Sequence, residues 1–266
     1  MSLSVQSSGT ALVTGASSGI GATYARRLAQ RGYNLILVAR DKARLEALAA
    51  TLTAAHGVNI EVLPADLTRA EDLHRIAQRL SDDQQITLLL NNAGMSVDGD
   101  FLSADISKIE TMIALNISAP TRLAHAAGNS FKARGHGTII NVASVLSLVH
   151  EMFNGAYNAS KSFVLTLTRA LERELQQHGV RVQAVLPGVT RTEIFDRSGK
   201  SIDEIPAYMV MEVETMVDAS LRGLDLGESV TIPALEDITQ WQQYDAARAT
   251  MIPGLSLSQP ASRYQQ

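Results

Sequence analysis

Hydrophobic and polar residues follow one another along this chain in a pattern that predicts alternating strands and helices. Seven short segments predict strands, most of them as apolar runs and the one at 59–64 by alternation of apolar and polar residues. They lie at 10–13, 34–39, 59–64, 86–90, 137–143, 180–186 and 229–233. Between them, apolar residues recur every three or four positions, as in amphipathic helices, at 22–31, 43–55, 68–80, 105–134, 157–178, 213–224 and 238–248. This alternation favours an α/β fold built on one mainly parallel sheet.

No repeat, low-complexity tract or linker divides the chain, so we expect a single domain over residues 1–266. Within it we place a cofactor-binding and catalytic core at 10–190, a substrate loop with a helix and the last strand at 191–233, and a C-terminal helix and tail at 234–266. The hydrophobic periodicity is absent between residues 193 and 207. This predicts a mobile loop, and a lid over the active site is one interpretation of it.

The composition is that of a globular protein, and it narrows the possible partners. The 266 residues are 45% hydrophobic and 19% charged, with a formal net charge of −4. The chain therefore lacks the basic surface typical of proteins that bind nucleic acid or an anionic membrane, and we expect neither partner. No segment has the length of a membrane span. The absence of cysteine excludes disulfides and thiol catalysis. We predict no metal site and a cytoplasmic location.

A glycine-rich turn follows the first predicted strand and precedes a helix. Its sequence is Thr14-Gly-Ala-Ser-Ser-Gly-Ile-Gly21, so its glycines have the spacing Gly-x-x-x-Gly-x-Gly. A strand, a glycine turn and a helix together direct backbone N–H groups and a helix dipole at a phosphate. Ordinary turn chemistry is the alternative explanation of three glycines.

Arg40 follows the second predicted strand, about 20 residues after the glycines. In a dinucleotide-binding unit, an acid near this position selects the 2′-hydroxyl of NAD, whereas an arginine accommodates the 2′-phosphate of NADP. A solvated arginine at a helix start is the alternative, and the neighbouring Asp41 leaves the local charge ambiguous. After the fourth strand, Asn91-Asn-Ala-Gly94 suits a turn whose side chains bond neighbouring strands beneath a cofactor.

Four further residues are candidates for an acid–base site. Tyr157 and Lys161 are four residues apart in a helical run, so they lie one turn apart on one face. An ammonium beside a phenol is expected to lower the tyrosine pKa and to make it a general acid or base. Ser144 follows a buried strand, at the edge where ligands bind in open α/β sheets. Asn116 lies just before Pro120, which can leave a main-chain carbonyl free to hold a water; a buried, satisfied polar residue is an equal alternative.

Together these residues resemble the short-chain dehydrogenase/reductase family, of the NADP-preferring type with the TGxxxGxG and YxxxK motifs. The matching pieces extend to about residue 233 and are Thr14–Gly21, Asp66, Asn91–Gly94, Asn116, Ser144, Tyr157 with Lys161, and Pro187-Gly188 with Thr192. The resemblance implies a single-domain Rossmann fold, with a doubly wound parallel sheet of order 3-2-1-4-5-6-7. It also implies hydride transfer between NADP(H) and a small-molecule carbonyl or alcohol, and a homotetramer or homodimer.

The resemblance also implies a role for each matching residue. Tyr157 exchanges the proton, Lys161 lowers its pKa and binds the nicotinamide ribose, Ser144 hydrogen-bonds the substrate oxygen, and Asn116 extends a proton relay through a water. Arg40 matches the NADP pattern, although the other usual basic residue is Ser18 here. The implied cofactor contacts are Gly15, Ser17, Ser18, Gly19, Ile20, Gly21, Arg40, Asp66, Leu67, Asn92, Ala93, Gly94, Tyr157, Lys161, Pro187, Gly188, Val189 and Thr192.

A hypothesis of another class is a non-catalytic NADP sensor or scaffold that uses the same cleft to change the binding of a partner. The combination of Ser144, Tyr157 and Lys161 argues against it, because a pure binding module needs no tuned phenol. The sequence does not identify the substrate, since its pocket would be lined by residues 146–153 and 193–216.

Overall fold

The structure, a computed structural model, describes residues 8–193 and 202–265, and its central feature is a seven-stranded parallel sheet. The strand order is β3-β2-β1-β4-β5-β6-β9, and every neighbouring pair is parallel. This confirms the predicted Rossmann fold and strand order, with the seventh predicted strand at the sheet edge. The sheet strands are β1 (Thr10–Thr14), β2 (Asn34–Ala39), β3 (Ile60–Pro64), β4 (Ile86–Asn91), β5 (Gly137–Val142), β6 (Val180–Val185) and β9 (Val230–Thr231).

Helices cover both faces of the sheet, because successive side chains of each buried strand point to opposite sides. In β1, Ala11 and Val13 pack in one core with the helices at 19–30, 42–56 and 213–225, while Leu12 packs in the other core with the helices at 70–82, 119–134 and 155–175. Strands buried on both faces have the continuous apolar runs seen in the sequence. The helices are α1 (Gly19–Gln30), α2 (Lys42–His56), α3 (Ala70–Asp82), α4 (Ile106–Ile113), α5 (Ala119–Arg134), α6 (Gly155–Leu175), α7 (Val213–Asp225) and α8 (Ile238–Thr250).

The structure corrects three predicted segments. Two further strands, β7 (Thr190–Arg191) and β8 (Met211–Glu212), form a separate parallel pair, and two residues are too few to give a hydrophobic pattern. Helix α3 begins at Ala70 and not at Thr68, because the Thr68 hydroxyl and N–H both donate to Asp66. Of the loop predicted at 193–207, residues 194–201 lie outside the described residues, and 202–204 and 207–209 are short 3₁₀ helices.

The long helix predicted at 105–134 is three consecutive segments: α4, a π-helical turn at Ala114–Ser118, and α5. The N–H of Ala119 donates to the carbonyl of Ala114, five residues earlier. Pro120 has no N–H, so the carbonyl of Asn116 lacks the donor that an α-helix would supply at that position. The proline thus changes the hydrogen-bonding pattern around Asn116, as the sequence predicted, without ending the helix.

The chain divides into two compact units, at Pro233 and Ala234. The second unit contains α8, whose N-terminus is capped by the Asp237 carboxylate accepting from the N–H of Thr239. Trp241 stacks on Tyr244 in this helix, with ring centroids 5.6 Å apart. The division coincides with the boundary at 234 expected from the sequence, and one domain over 1–266 stays a prediction. Within the described residues, no helix is long and apolar enough to cross a membrane.

Candidate functional site

The glycine-rich turn between β1 and α1 allows an unusually close approach of backbone to backbone. Gly15 has a φ of +66°, and a Cβ placed on Gly21 would lie 2.2 Å from the carbonyl oxygen of Gly15. Only glycine fits where backbone segments pass at this distance. Helix α1 has no acidic residue in its first turn and no side-chain cap from Ser18. Its N-terminal N–H groups and positive dipole end are therefore suited to an anion.

The segment after β4 is fixed to this turn by the hydroxyl of Thr14. That hydroxyl donates to the carbonyl of Leu90 at 3.1 Å and accepts from the N–H groups of Asn92 and Ala93 at 2.9 and 3.1 Å. The Asn92 amide returns a hydrogen bond to the Thr14 carbonyl at 3.0 Å. The predicted turn after the fourth strand thus joins two neighbouring strands at their carboxyl ends.

The segments after β2 and β3 form a shallow surface cavity of about 300 Å³ that is open to solvent, lined by Arg40, Pro64, Ala65, Asp66, Arg69 and Asp72. The Asp66 carboxylate accepts from the N–H and the hydroxyl of Thr68 at 3.0 and 2.7 Å. Burial tends to raise the pKa of Asp66, but these bonds and the nearby Arg40 bring it below its ordinary value. Asp66 is therefore a carboxylate at neutral pH. Arg40 and Asp66 meet here as the sequence predicted, whereas Arg69 was not predicted.

Tyr157 lies in the first turn of α6, and this turn is held by Asn154. The Asn154 side-chain oxygen accepts from the N–H groups of Ala156 and Tyr157 at 2.9 and 3.3 Å, and its amide donates to the Gly99 carbonyl at 2.7 Å. It thus joins the loop before α4 to the start of the tyrosine helix. The sequence analysis missed Asn154, although asparagine just before a helix is a recognised N-cap pattern.

Lys161 lies one turn after Tyr157, with its Nζ 5.7 Å from the centre of the tyrosine ring. Nζ donates to the carbonyl of Val142 at 3.0 Å. Burial lowers the pKa of Lys161 to about 8, because a charged amine is poorly solvated there. Lys161 thus links the tyrosine helix to the end of β5.

The predicted lowering of the Tyr157 pKa by Lys161 is wrong in this structure. Burial raises the pKa of Tyr157 to about 12, and the Ser144 hydroxyl only partly offsets this rise. The physical reason is that the cost of burying a phenolate exceeds the help of its neighbours, and the ammonium is engaged with Val142. Tyr157 is therefore a neutral phenol at neutral pH, which is the form of a proton donor.

Ser144 lies two residues after the end of β5 and is buried. Its hydroxyl accepts from the N–H of Leu146 at 3.1 Å and contacts the Pro187 carbonyl at 3.5 Å. The N–H of Val145 also donates to that carbonyl, at 3.0 Å. These contacts place the serine hydroxyl between the ends of β5 and β6, close enough to Tyr157 to affect its pKa.

Asn116 is buried in the π-helical turn, and its side chain is fully hydrogen-bonded. It accepts from the N–H of Met95 at 2.9 Å and donates to the Met95 carbonyl at 2.8 Å and to the Ser160 hydroxyl at 3.1 Å. The reading of Asn116 as a satisfied polar residue is thus correct for its side chain. A Cβ on Gly94 would lie 3.2 Å from the Asn116 oxygen and 3.5 Å from Lys161 Nζ, so the Asn116 side chain and the lysine lie beside the same glycine.

Other predicted residues extend the site along the carboxyl edge of the sheet. Pro187, Gly188 and Val189 follow β6, and a Cβ on Gly19 would lie 3.2 Å from the Thr192 methyl group. Arg40 and Asp66 lie on one side of β1, at the ends of β2 and β3, while Ser144 and Pro187 lie on the other side. The site is therefore elongated, with the glycine turn between its two ends.

Phe153 is a second residue that the sequence analysis did not single out. Its backbone is left-handed, with a φ of +64°, which is unfavourable for a bulky side chain. Its half-exposed ring meets the Tyr157 ring edge to face, with centroids 5.4 Å apart. The Asn158 amide fixes this segment by donating to the carbonyls of Val149 and Met152 at 3.0 and 2.5 Å. An apolar wall thus lies next to the phenol.

Comparisons with known proteins identify relatives of this chain. A family model described as short chain dehydrogenase matches residues 9–203. An uncharacterized oxidoreductase of Staphylococcus saprophyticus is 34% identical over 185 residues, which are 69% of this chain and 79% of that protein.

Solved structures also resemble the whole fold. A short-chain dehydrogenase from Sphingobium yanoikuyae in complex with NADPH has a TM-score of 0.94 and 48% identity, covering 96% of this chain and 99% of that chain. A bulky-bulky ketone specific alcohol dehydrogenase from Comamonas testosteroni, in its orthorhombic crystal form, has a TM-score of 0.90 and 43% identity, covering 97% and 99%.

Proposed function

The chain belongs to the short chain dehydrogenase family, and we propose that it is an NADP(H)-dependent oxidoreductase acting on a carbonyl or alcohol substrate. The observation that carries the proposal is the meeting of Ser144, Tyr157 and Lys161 at the sheet edge that also bears the glycine turn. A cofactor site and an acid–base site at one edge are what hydride transfer with protonation requires.

The residues at this edge fit a dinucleotide. The absence of a side chain at Gly21 lets the turn between β1 and α1 close tightly, and the start of α1 suits a pyrophosphate. In this proposal Asp66 and Leu67 contact adenine, Arg40 the 2′-phosphate, Lys161 the nicotinamide ribose, and Val189 and Thr192 the carboxamide. The Arg40 assignment is supported by its place on the cavity after β2 and β3 and by the NADPH bound to the Sphingobium yanoikuyae dehydrogenase. The cofactor supplies or accepts the hydride.

In carbonyl reduction, Tyr157 donates its proton to the substrate oxygen. A pKa of about 12 keeps the phenol protonated at neutral pH, while an alkoxide is a much stronger base and takes the proton readily. The Ser144 hydroxyl donates a hydrogen bond to the same oxygen as its negative charge develops. Lys161, with a pKa of about 8, exchanges protons near neutral pH and returns one towards Tyr157. The Asn116 carbonyl, which lacks an α-helical donor, holds a water that extends this route.

We further propose a ketone with a large apolar substituent as the substrate class. Phe153 and Met152 are both about half exposed, at 48% and 54%, and Phe153 contacts Tyr157. Apolar surface left exposed beside a polar reactive group is typical of a ligand pocket. The Comamonas testosteroni dehydrogenase, described as specific for bulky-bulky ketones, supports the same substrate class.

The proposal is tested with Tyr157→Phe, assayed against a panel of aryl and alkyl ketones with NADPH oxidation followed at 340 nm. The variant is expected to lose turnover while its NADPH dissociation constant stays within about threefold, because only the transferable proton is removed. Tyr264→Phe is the matched control, since Tyr264 is 68% exposed and belongs to the second compact unit, and it should retain full activity. Undiminished turnover in Tyr157→Phe would overturn the assignment of Tyr157.

The same panel separates the enzyme from the NADP sensor or scaffold. NADPH binding without turnover on any carbonyl or alcohol would favour the sensor. Assembly as a homotetramer or homodimer and a cytoplasmic location remain predictions from the sequence. Light scattering of the purified protein tests the assembly, and an expected mass is two or four times 28.6 kDa.

A further inference from the structure

Two arginines line the cavity at the ends of β2 and β3, and only one of them was predicted from the sequence. Arg40 follows β2, and Arg69 precedes α3. Both are exposed, and neither makes an ion pair or a side-chain hydrogen bond with the described residues. Arg75, on the adjacent turn of α3, instead donates to Asp72 and to the Pro64 carbonyl. Arg40 and Arg69 are thus the cavity's two uncommitted guanidinium groups.

The two aspartates of the cavity form hydrogen bonds with other groups and none with Arg40 or Arg69 among the described residues. Asp72 accepts from Arg75 through one oxygen, at 2.9 Å, and from the N–H of Asp66 through the other, also at 2.9 Å. One oxygen of Asp66 accepts twice from Thr68. Two arginines and two aspartates line the cavity, and Arg75, outside the lining, pairs with Asp72. Together these five side chains carry a net positive charge, which is suited to an anion.

The backbone of Arg69 is held in place at the cavity edge. Its N–H donates to the Asp66 carbonyl at 2.9 Å, and its carbonyl accepts from the N–H of Leu73 at 3.0 Å, as the first bond of α3. Its side chain therefore starts from a fixed point on the wall opposite the end of β2. Two guanidinium groups on one small cavity can hold a phosphate from two sides.

We propose that Arg69 is a second specificity-determining residue, which binds the 2′-phosphate of NADP(H) together with Arg40. This inference rests on the proposed function. It also accounts for a departure from the family pattern, in which a basic residue usually stands where this chain has Ser18. In this chain, the second positive charge comes from the start of α3 and not from the glycine turn.

The test compares NADPH with NADH, which differ only in the 2′-phosphate, by calorimetric titration at one fixed salt concentration. The variants are Arg69→Ala, Arg69→Lys, Arg40→Ala and the double variant. Arg173→Ala is the matched control, because it removes an equal charge from the last turn of α6, at the opposite edge of the sheet. Adenosine 2′,5′-diphosphate and adenosine 5′-monophosphate repeat the comparison without the nicotinamide.

Arg69→Ala is expected to weaken NADPH and adenosine 2′,5′-diphosphate about tenfold or more, the effect of losing one charge-assisted hydrogen bond. NADH and adenosine 5′-monophosphate should change less than about twofold. Arg69→Lys should recover part of the loss, since a point charge replaces a planar fork, and Arg173→Ala should change nothing.

Two results would overturn the role of Arg69. Equal weakening of NADPH and NADH would show that Arg69 contacts adenine or shapes the cavity, and unchanged binding of both would show that it faces solvent. In either case the proposed function still stands if the wild-type protein prefers NADPH and the Arg40→Ala variant does not. A wild-type protein that binds neither dinucleotide would overturn the proposed function as well, so the two failures are distinguishable.

Discussion

Replacing Asn154 by alanine tests whether the capped first turn of α6 positions the reactive phenol. The change removes a side-chain oxygen that accepts from the N–H groups of Ala156 and Tyr157, and an amide that donates to the Gly99 carbonyl. Loss of an N-cap costs about 1 kcal/mol, and loss of a buried hydrogen bond adds about 1 kcal/mol. We therefore expect a loss of about 2 kcal/mol in the free energy of unfolding.

That loss corresponds to a fall of roughly 4–8 °C in the melting temperature for a chain of this size. Because the N–H of Tyr157 is itself a cap partner, the phenol should also lose its fixed position. Misplacement of a reacting group by about 1 Å can cost a hundredfold in rate, so kcat should fall about tenfold or more. The NADPH dissociation constant should change little. Thermal unfolding, steady-state kinetics and titration measure the three quantities.

Two further variants test which part of the Asn154 side chain affects kcat and whether loss of another helix cap has the same effect. Asn154→Asp keeps the accepting oxygen and loses the donation to Gly99, so it should retain most of kcat while the loop before α4 loosens. Asp237→Ala removes the cap of α8 in the second compact unit and should leave kcat unchanged. An Asn154→Ala protein with wild-type kcat and a melting temperature within about 1 °C would refute the reasoning.

Three other substitutions have defined outcomes. Gly21→Ala should destabilise the protein by about 1–3 kcal/mol and weaken NADPH binding, because the new Cβ would meet the Gly15 carbonyl. Gly188→Ala should leave thermal unfolding unchanged, because no atom lies within 4 Å of the new Cβ. Phe153→Gly should be about 1 kcal/mol more stable than Phe153→Ala, and in both KM should rise most for bulky ketones. Burial lowers the pKa of Lys161 from 10.5 to about 8, so the unfolded chain binds this proton more tightly than the folded protein does. The free energy of unfolding should therefore rise by roughly 2 kcal/mol from pH 8 to pH 10. Lys161→Met should remove that rise in urea unfolding.

The elements that could be predicted from the sequence are those determined by residues that are close together along the chain. The strand at 34–39 was predicted to the residue, and the other strands that flank the site lie within one residue of their predicted ends. Parallel strands buried on both faces must be apolar throughout, so their limits are visible in the sequence. The glycine turn was recognisable for a similar reason, because a close backbone approach at Gly21 leaves no choice of residue.

The elements that could not be predicted depend on what the chain brings together from a distance. Strands β7 and β8 have two residues each and exist only because they pair with one another. Arg69 belongs to the cavity because α3 begins beside the end of β2. Neither relation leaves a periodic pattern in the sequence, since both arise from tertiary placement.

The error in the Tyr157 pKa shows how distance and burial combine at this site. The four-residue spacing correctly places Lys161 and Tyr157 on one face of the helix, but the ammonium lies 5.7 Å from the centre of the tyrosine ring and donates to the Val142 carbonyl. At that separation burial dominates for both groups and moves their pKa values in opposite directions, to about 12 and about 8. The proton therefore stays on Tyr157 until a stronger base, such as a developing alkoxide, is present, while Lys161 is the group that titrates near neutral pH. This order of proton affinities fits the donor role proposed for Tyr157 in carbonyl reduction, because a neutral phenol holds the proton that the developing alkoxide takes.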